Sequence, residues 1–213
     1  MADEEGGKAM RIVALIPARA GSKRAVNKNI STFGTNERCK STCLIRIALD
    51  QALEIFPAKD VFLSTDYQDR DLRCWDIYKE IVIRRPSFLA ADDTPMRDVV
   101  IHAALDLDLE SHDWIMLLQP TSPLRAVKDI MESSAFAMGE GCKNYSVTDG
   151  HSGPNGAIYC ATVSDWAAGG PKNEWTEKAP VGYVLMPPER SIDIDTEEDW
   201  KKAQELWNSL KAH

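Results

Sequence analysis

Long apolar runs are missing from this 213-residue chain: none approaches the ~20 residues that a bilayer-crossing helix requires. Cysteine is sparse. The five thiols, Cys39, Cys43, Cys74, Cys142 and Cys160, form no CxxC pair. An odd count at wide spacing excludes a disulfide framework and fits free thiols in a reducing cytoplasm. Positive charge is in deficit, with 25 Lys and Arg against 33 Asp and Glu and a formal net charge of -8. Such a chain has no general attraction for nucleic acid or for an anionic membrane, so neither is expected as a partner. A polyphosphate would need basic residues gathered in one place. The four histidines show no metal-ligand spacing; His102 is expected on a helix and His151 in a loop. The first ten residues are acidic and have no apolar core of the signal-peptide kind, so residues 1–10 read as a flexible leader. Internal repeats, linkers and low-complexity segments are also absent.

What is present is a 44% hydrophobic content, enough for one buried core over residues 11–213. Short β-branched runs alternate with helical patterns. Ile12 to Ile16, Val61 to Leu63, Ile81 to Ile83, Trp114 to Leu118, Ala157 to Ala161, Val181 to Met186 and Ile192 to Ile194 read as strands. Helices are expected over Cys43 to Phe56, Asp69 to Tyr78, from Thr94-Pro95 to about Leu107 with Pro95 at the first helical position, and over Lys128 to Met138. Thr196 to Asp199 resembles a capping box, with Asp in the place of Glu, opening a last helix to about Leu210. Trp200 and Trp207, one heptad apart, mark its docking face. The alternation predicts a three-layer α/β/α sandwich with a mostly parallel, Rossmann-like sheet. Ligands in such sheets lie beyond the carboxyl ends of the strands.

Three polar motifs follow strands. Pro17-Ala18-Arg19-Ala20-Gly21-Ser22-Lys23-Arg24, with Lys28-Asn29 behind it, gathers cations and a glycine in one strand-exit loop. It is either a phosphate cradle or a solvated basic turn, and it lacks the Walker A spacing. Leu117 to Arg125 (LLQPTSPLR) offers Gln119, Thr121 and Ser122 as neutral hydrogen-bonding groups. Arg125 there either meets an anion or braces the loop. Ser191 to Asp195 (SIDID) puts Asp193 and Asp195 on one face of an extended segment, their Cα atoms ~7 Å apart. Two carboxylates so placed can share Mg2+ with substrate phosphates; the plainer reading gives Asp195 only to the N-terminus of the last helix.

In combination and in this order, IPARAGSKR with KNI, LLQPTSPLR, NGAIY (Asn155 to Tyr159) and SIDIDTEEDW resemble the acylneuraminate cytidylyltransferase family, and Arg85-Pro86-Ser87 and Asp92-Asp93-Thr94 resemble its middle segment. The resemblance covers Ile12 to Leu206. It implies an enzyme that transfers CMP from CTP to the anomeric hydroxyl of an acidic sugar, such as a sialic acid or related nonulosonate, and releases pyrophosphate. It implies Mg2+ on Asp193 and Asp195. It places Arg19 and Lys23 on the triphosphate, Ser22 and Asn29 in the nucleotide pocket, and Ala18 and Arg85 near the base and ribose. It places Gln119, Thr121 and Tyr159 at the sugar.

The chain departs from that family at Ala20, Val26 and Cys43, and more deeply after Ser146-Val147-Thr148. Only Asp149 to Pro154 separate this stretch from Asn155, where the family usually has several tens of residues. That arm normally contributes a sugar-carboxylate arginine and much of a dimer contact. A homodimer is therefore expected to be weakened or rearranged, and Lys143 or Lys172 to stand in for the arginine. A different small acceptor, or a non-catalytic CTP-binding role, are the alternatives the shortened arm leaves open.

Overall fold

The computed structural model describes residues 9–21, 27–36, 39–68, 71–72, 79–169 and 181–211. The expected helix over Asp69 to Tyr78 falls largely outside them. Seven strands form one sheet: β1 (Ile12–Ala18), β4 (Val61–Thr65), β5 (Val82–Arg84), β6 (Trp114–Leu118), β7 (Lys143–Thr148), β8 (Pro154–Thr162) and β9 (Val181–Met186). Their order is β5-β4-β1-β6-β8-β7-β9. All run parallel except β8, which is antiparallel to β6 and β7. A two-stranded ribbon, β2 (Gly34–Asn36) and β3 (Cys39–Thr42), stands apart.

Alternation along the strands splits the core. Ala14, Ile16, Met116 and Leu118 face α1 (Leu44–Leu53) and α3 (Val127–Glu140). Val13, Leu15, Ile115 and Leu117 face α2 (Met96–Asp106) and α4 (Val163–Ala168). The sheet is thus the middle of three layers, and its central strand β6 is buried along its whole length. Parallel strands covered on both faces must be apolar throughout, which accounts for the run WIMLL.

The last helix, α5 (Glu197–Lys211), closes a third cluster. The ring of Phe33 lies edge-on to Trp200 at 5.1 Å and to Trp207 at 5.8 Å. The helix opens with a reciprocal box. Asp199 Oδ2 accepts the Thr196 main-chain N–H at 2.8 Å, and Thr196 Oγ1 accepts that of Asp199 at 3.2 Å.

Three local expectations need correction. Residues 191–195 are extended but form no strand, because their main chain pairs with Thr121 and Lys28 and not with a neighbouring strand. Pro95 is the N-cap of α2 and not its first helical residue; its ψ of 137° keeps it outside the helix, and the Thr94 hydroxyl turns back to the Phe88 carbonyl. The third strand is Val82–Arg84, one residue later than expected. The ribbon β2–β3 and the short helix α4 carry too little apolar periodicity to be legible.

Candidate active site

The carboxyl ends of the parallel strands surround a cavity of about 490 Å3. Pro17 and Arg19 enter from the end of β1, Lys28 and Asn29 from the turn after it, and Arg85 from just beyond β5. Asp92 and Met96 come from the approach to α2, Gln119 to Thr121 from the end of β6, and Asp193 and Asp195 from the segment before α5. Three motifs separated by more than 160 residues of chain thus converge where the topology of a doubly wound sheet places its ligand.

On the basic side the loop after β1 is held by its neighbours. The Ala20 N–H donates to Asp66 Oδ1 at 2.8 Å, and Asn29 Nδ2 donates to the Arg19 carbonyl at 3.2 Å. The buried Asn29 Oδ1 accepts no hydrogen bond among the described residues. Arg85 is 7% exposed and is clamped by Ser64, its Nη2 donating to the carbonyl at 2.8 Å and its Nε to the hydroxyl at 3.2 Å. Burial lowers its guanidinium to about 10, opposed by the Asp66 carboxylate, so it stays charged at neutral pH. Arg19 reaches across the cavity mouth to Asp92, 2.5 Å away. Ala18 is buried at the end of β1, beside Thr65 of β4, between the cavity-lining Pro17 and Arg19. Ser22 and Lys23 lie outside the described residues.

On the acidic side, Asp193 is half-buried and its Oδ1 accepts no hydrogen bond among the described residues. Burial pushes its carboxyl up; the Thr121 hydroxyl and the Lys28 charge oppose the shift, while Asp195 adds to it. An orphaned carboxylate oxygen beside a second carboxylate, both facing a cavity, fits a hard divalent cation that completes its shell with water and phosphate oxygens. Among the described residues no third acidic, histidine or cysteine side chain joins them as a self-sufficient metal cluster. Gly156 makes this packing possible. Its φ is +90°, and a Cβ there would sit 3.3 Å from Asp193 Oδ2.

Between the two sides lies the loop after β6. Arg125 does not meet the cavity. It is 2% exposed and braces the loop, with Nη1 donating to the carbonyls of Ala157 at 2.6 Å and Gln119 at 3.2 Å, and Nη2 to Gln51 Oε1 at 3.0 Å. That frame leaves Gln119 and Thr121 facing the cavity, while Ser122 is fully buried behind them. Tyr159 is not on the cavity wall. It lies within the core on the α2/α4 face, where burial and then the Asp193 charge raise its phenol to about 12 and keep it protonated.

Lys143 is not near the cavity either. It opens β7, which runs parallel to the strands whose carboxyl ends form the cavity, so it sits at the opposite end of the strands. There its ammonium pairs with Asp165 at 3.1 Å. Lys172 lies outside the described residues. The sequence gives Lys28 only a share in the basic loop and Asp92 no individual role, although both line the cavity. The clustering of Lys28 with the basic loop was a usable signal, as was the resemblance of Asp92-Asp93-Thr94 to the family's middle segment.

Comparison with known proteins gives the family and the fold. The chain is 26% identical over 228 residues to the N-acylneuraminate cytidylyltransferase of Streptococcus agalactiae serotype III (strain NEM316), covering 90% of this chain and 52% of that protein. It therefore spans about half the length of that relative. It is also 26% identical over 237 residues to the CMP-N,N'-diacetyllegionaminic acid synthase of Legionella pneumophila, covering 92% of this chain and 96% of the relative. The fold resembles that of a CMP:2-keto-3-deoxy-manno-octonic acid synthetase solved with CTP, with a TM-score of 0.68 at 14% identity over 94% of this chain and 99% of that one. The cytidylyltransferase family model matches residues 13–149, the stretch that carries both the basic loop and the loop after β6, and the chain belongs to that family.

Proposed function

We propose that this protein transfers CMP from CTP to the anomeric hydroxyl of an acidic α-keto sugar and releases pyrophosphate. The observation that carries the reading is the opposition, across one cavity, of Arg19 and Arg85 to the orphaned carboxylate of Asp193, with Gln119 and Thr121 between them. The sugar oxygen forms a bond to the α-phosphorus as the bond from that phosphorus to the bridging oxygen breaks. Transfer of this kind asks the protein mainly for positioning and charge neutralisation. Arg19 and Arg85 supply fixed cations on the nucleotide side, and Asn29 Oδ1 an acceptor for a base or ribose donor. Mg2+ held by Asp193 and Asp195 would neutralise charge on the phosphates. Gln119 and Thr121 offer hydrogen bonds to the acceptor, and Tyr159 supports that wall from beneath Asp193. Ser22 and Lys23 belong to the same basic loop and are proposed to reach the phosphates with Arg19.

The relatives named for N-acylneuraminate and for N,N'-diacetyllegionaminic acid support a nonulosonate acceptor. Pyrophosphate release, followed with CTP, Mg2+ and a panel of nonulosonic acids, tests the reading. Release that depends on one of these sugars is expected. Release with CTP and a different hydroxyl acceptor alone would favour the second reading, a cytidylyltransferase for another small acceptor. That reading draws on the tight connection over residues 149–153 between β7 and β8. No release with any acceptor, under conditions where CTP binds, would leave a nucleotide-binding homologue.

A further inference from the structure

The Lys28 side chain crosses the cavity from the basic loop to the acidic segment. Asn27, just before it, has a φ of +57°, a left-handed conformation that turns the chain back on itself. The turn is locked by N–H donation from Ile30 and Ser31 to the Asn27 carbonyl at 3.0 and 2.9 Å. From there the Lys28 side chain, only 10% exposed, runs to residues 194 and 195. Its Nζ donates to the Ile194 carbonyl at 2.5 Å and lies 3.7 Å from Asp195 Oδ1. Ile194 is itself pinned through its N–H to the Thr121 carbonyl at 2.8 Å. An ammonium is a compact point charge with three donors, well suited to hold two converging oxygen ligands.

We infer that Lys28 is a positioning residue for the acidic pair: in the nucleotide-free protein its ammonium acts as a resident cation at Asp195 and keeps a divalent cation from binding tightly there. The inference rests on the reading of Asp193 and Asp195 as metal ligands. The physical ground is simple. A divalent ion bridging the two carboxylates would lie within a few ångströms of the fixed positive charge of Lys28, whose side chain is 10% exposed although that of Asp195 is 57% exposed, and like charges at that range repel. Anything that draws the ammonium away, above all a polyanion in the basic half of the cavity, relieves that repulsion. Metal and triphosphate binding are thereby coupled through one side chain, beyond the affinity they have for each other in solution, and the coupling is reciprocal.

Mn2+ binding to the nucleotide-free full chain, read from the loss of the free-ion electron paramagnetic resonance signal, tests this without any turnover. Lys28→Met keeps the length of the stem and removes the charge, and it should bind Mn2+ about tenfold more tightly than the wild type, as expected for one like charge removed at close range. Lys28→Gln should shift the same way, and Lys28→Arg should bind as weakly as the wild type. Lys28→Met combined with Asp195→Asn should lose the gain. If Lys28→Met and Lys28→Gln, folded by circular dichroism, bind Mn2+ no more tightly than the wild type while Asp193→Asn abolishes binding, the inference fails and the metal assignment stands. If Asp193→Asn and Asp195→Asn bind Mn2+ as the wild type does, the metal assignment itself fails and takes the inference with it.

Discussion

Arg19 and Asp92 form an ion pair across the mouth of the cavity, their charged atoms 2.5 Å apart and their side chains 31% and 38% exposed. A triphosphate that recruits Arg19 must first displace Asp92. Partly exposed pairs of this kind contribute ~0–1 kcal/mol, so Asp92→Asn should tighten CTP binding by no more than about fivefold. Calorimetric titration with CTP would measure it, and the difference should shrink as salt is raised. Weaker CTP binding in Asp92→Asn would show that Asp92 contacts the ligand instead of competing with it.

Arg125 governs stability and not phosphate binding. Arg125→Met would leave the Ala157 carbonyl and the amide oxygen of Gln51 without this donor, and the Gln119 carbonyl with only the Ser122 N–H. Orphaned buried acceptors cost ~1–3 kcal/mol each, so a total loss of about 3 kcal/mol or more is expected. In a chain of this size that lowers Tm by roughly 6–12 °C. Arg125→Lys should not restore it, because one ammonium cannot span acceptors on three segments. Thermal unfolding followed by circular dichroism decides the point, and an unchanged Tm would contradict the bracing role.

Gly156→Ala should damage catalysis more than folding. The new methyl would meet Asp193 Oδ2 at 3.3 Å, on a backbone whose φ of +90° already disfavours a side chain. Strain of ~1–3 kcal/mol is expected from the backbone alone. The carboxylate is the group that can give way, so metal-dependent turnover should fall further than Tm implies. The dependence of turnover on Mg2+ concentration, set beside a melting curve, separates the two effects. Full activity with a normal metal requirement would mean that Asp193 tolerates displacement.

The particular residues show what a sequence can reveal here and what it cannot. Trp114 to Leu118 was legible because a central parallel strand must be apolar on both faces. Thr196 and Asp199 were legible because a capping box is a local motif with fixed spacing. The cavity-facing positions of Asp193 and Asp195 followed from alternation, although the segment pairs with Thr121 and Lys28 and not with a sheet. The partners of Asp92 and Lys143 were beyond reach for one reason: a charge's partner is chosen by tertiary packing. Arg19 finds Asp92 and Lys143 finds Asp165 across 73 and 22 residues of sequence, and neither distance leaves a periodic trace. Gln51 is the same case; only the fold brings α1 under the loop that Arg125 braces.

The last expectation concerns assembly. Strands β7 and β8 form an antiparallel hairpin with Val147 opposite Pro154, so the connection between them is a tight turn over residues 149–153. Even fully extended, those residues span ~17 Å, too little for a hairpin arm that crosses onto a second subunit and returns. The turn is also tied down at its base. Ser146 Oγ pairs with Asn155 Oδ1 at 2.5 Å, and the Asp149 N–H donates to the Met186 carbonyl at 2.8 Å. Lys143 is committed to Asp165 at the far end of the strands and cannot offer its charge to an acceptor's carboxylate. Two outcomes are expected. Light scattering across a wide concentration range should give a monomer or a weakly associating dimer. Calorimetric titration of N-acetylneuraminic acid, in the presence of a non-hydrolysable CTP analogue, should give weak binding that Lys143→Ala leaves unchanged. A carboxylate without a paired cation keeps part of its desolvation cost, which is the physical reason for the second outcome. A dimer that persists on dilution, together with tight binding of that sugar, would show that another surface of this chain supplies both the partner contact and the missing positive charge.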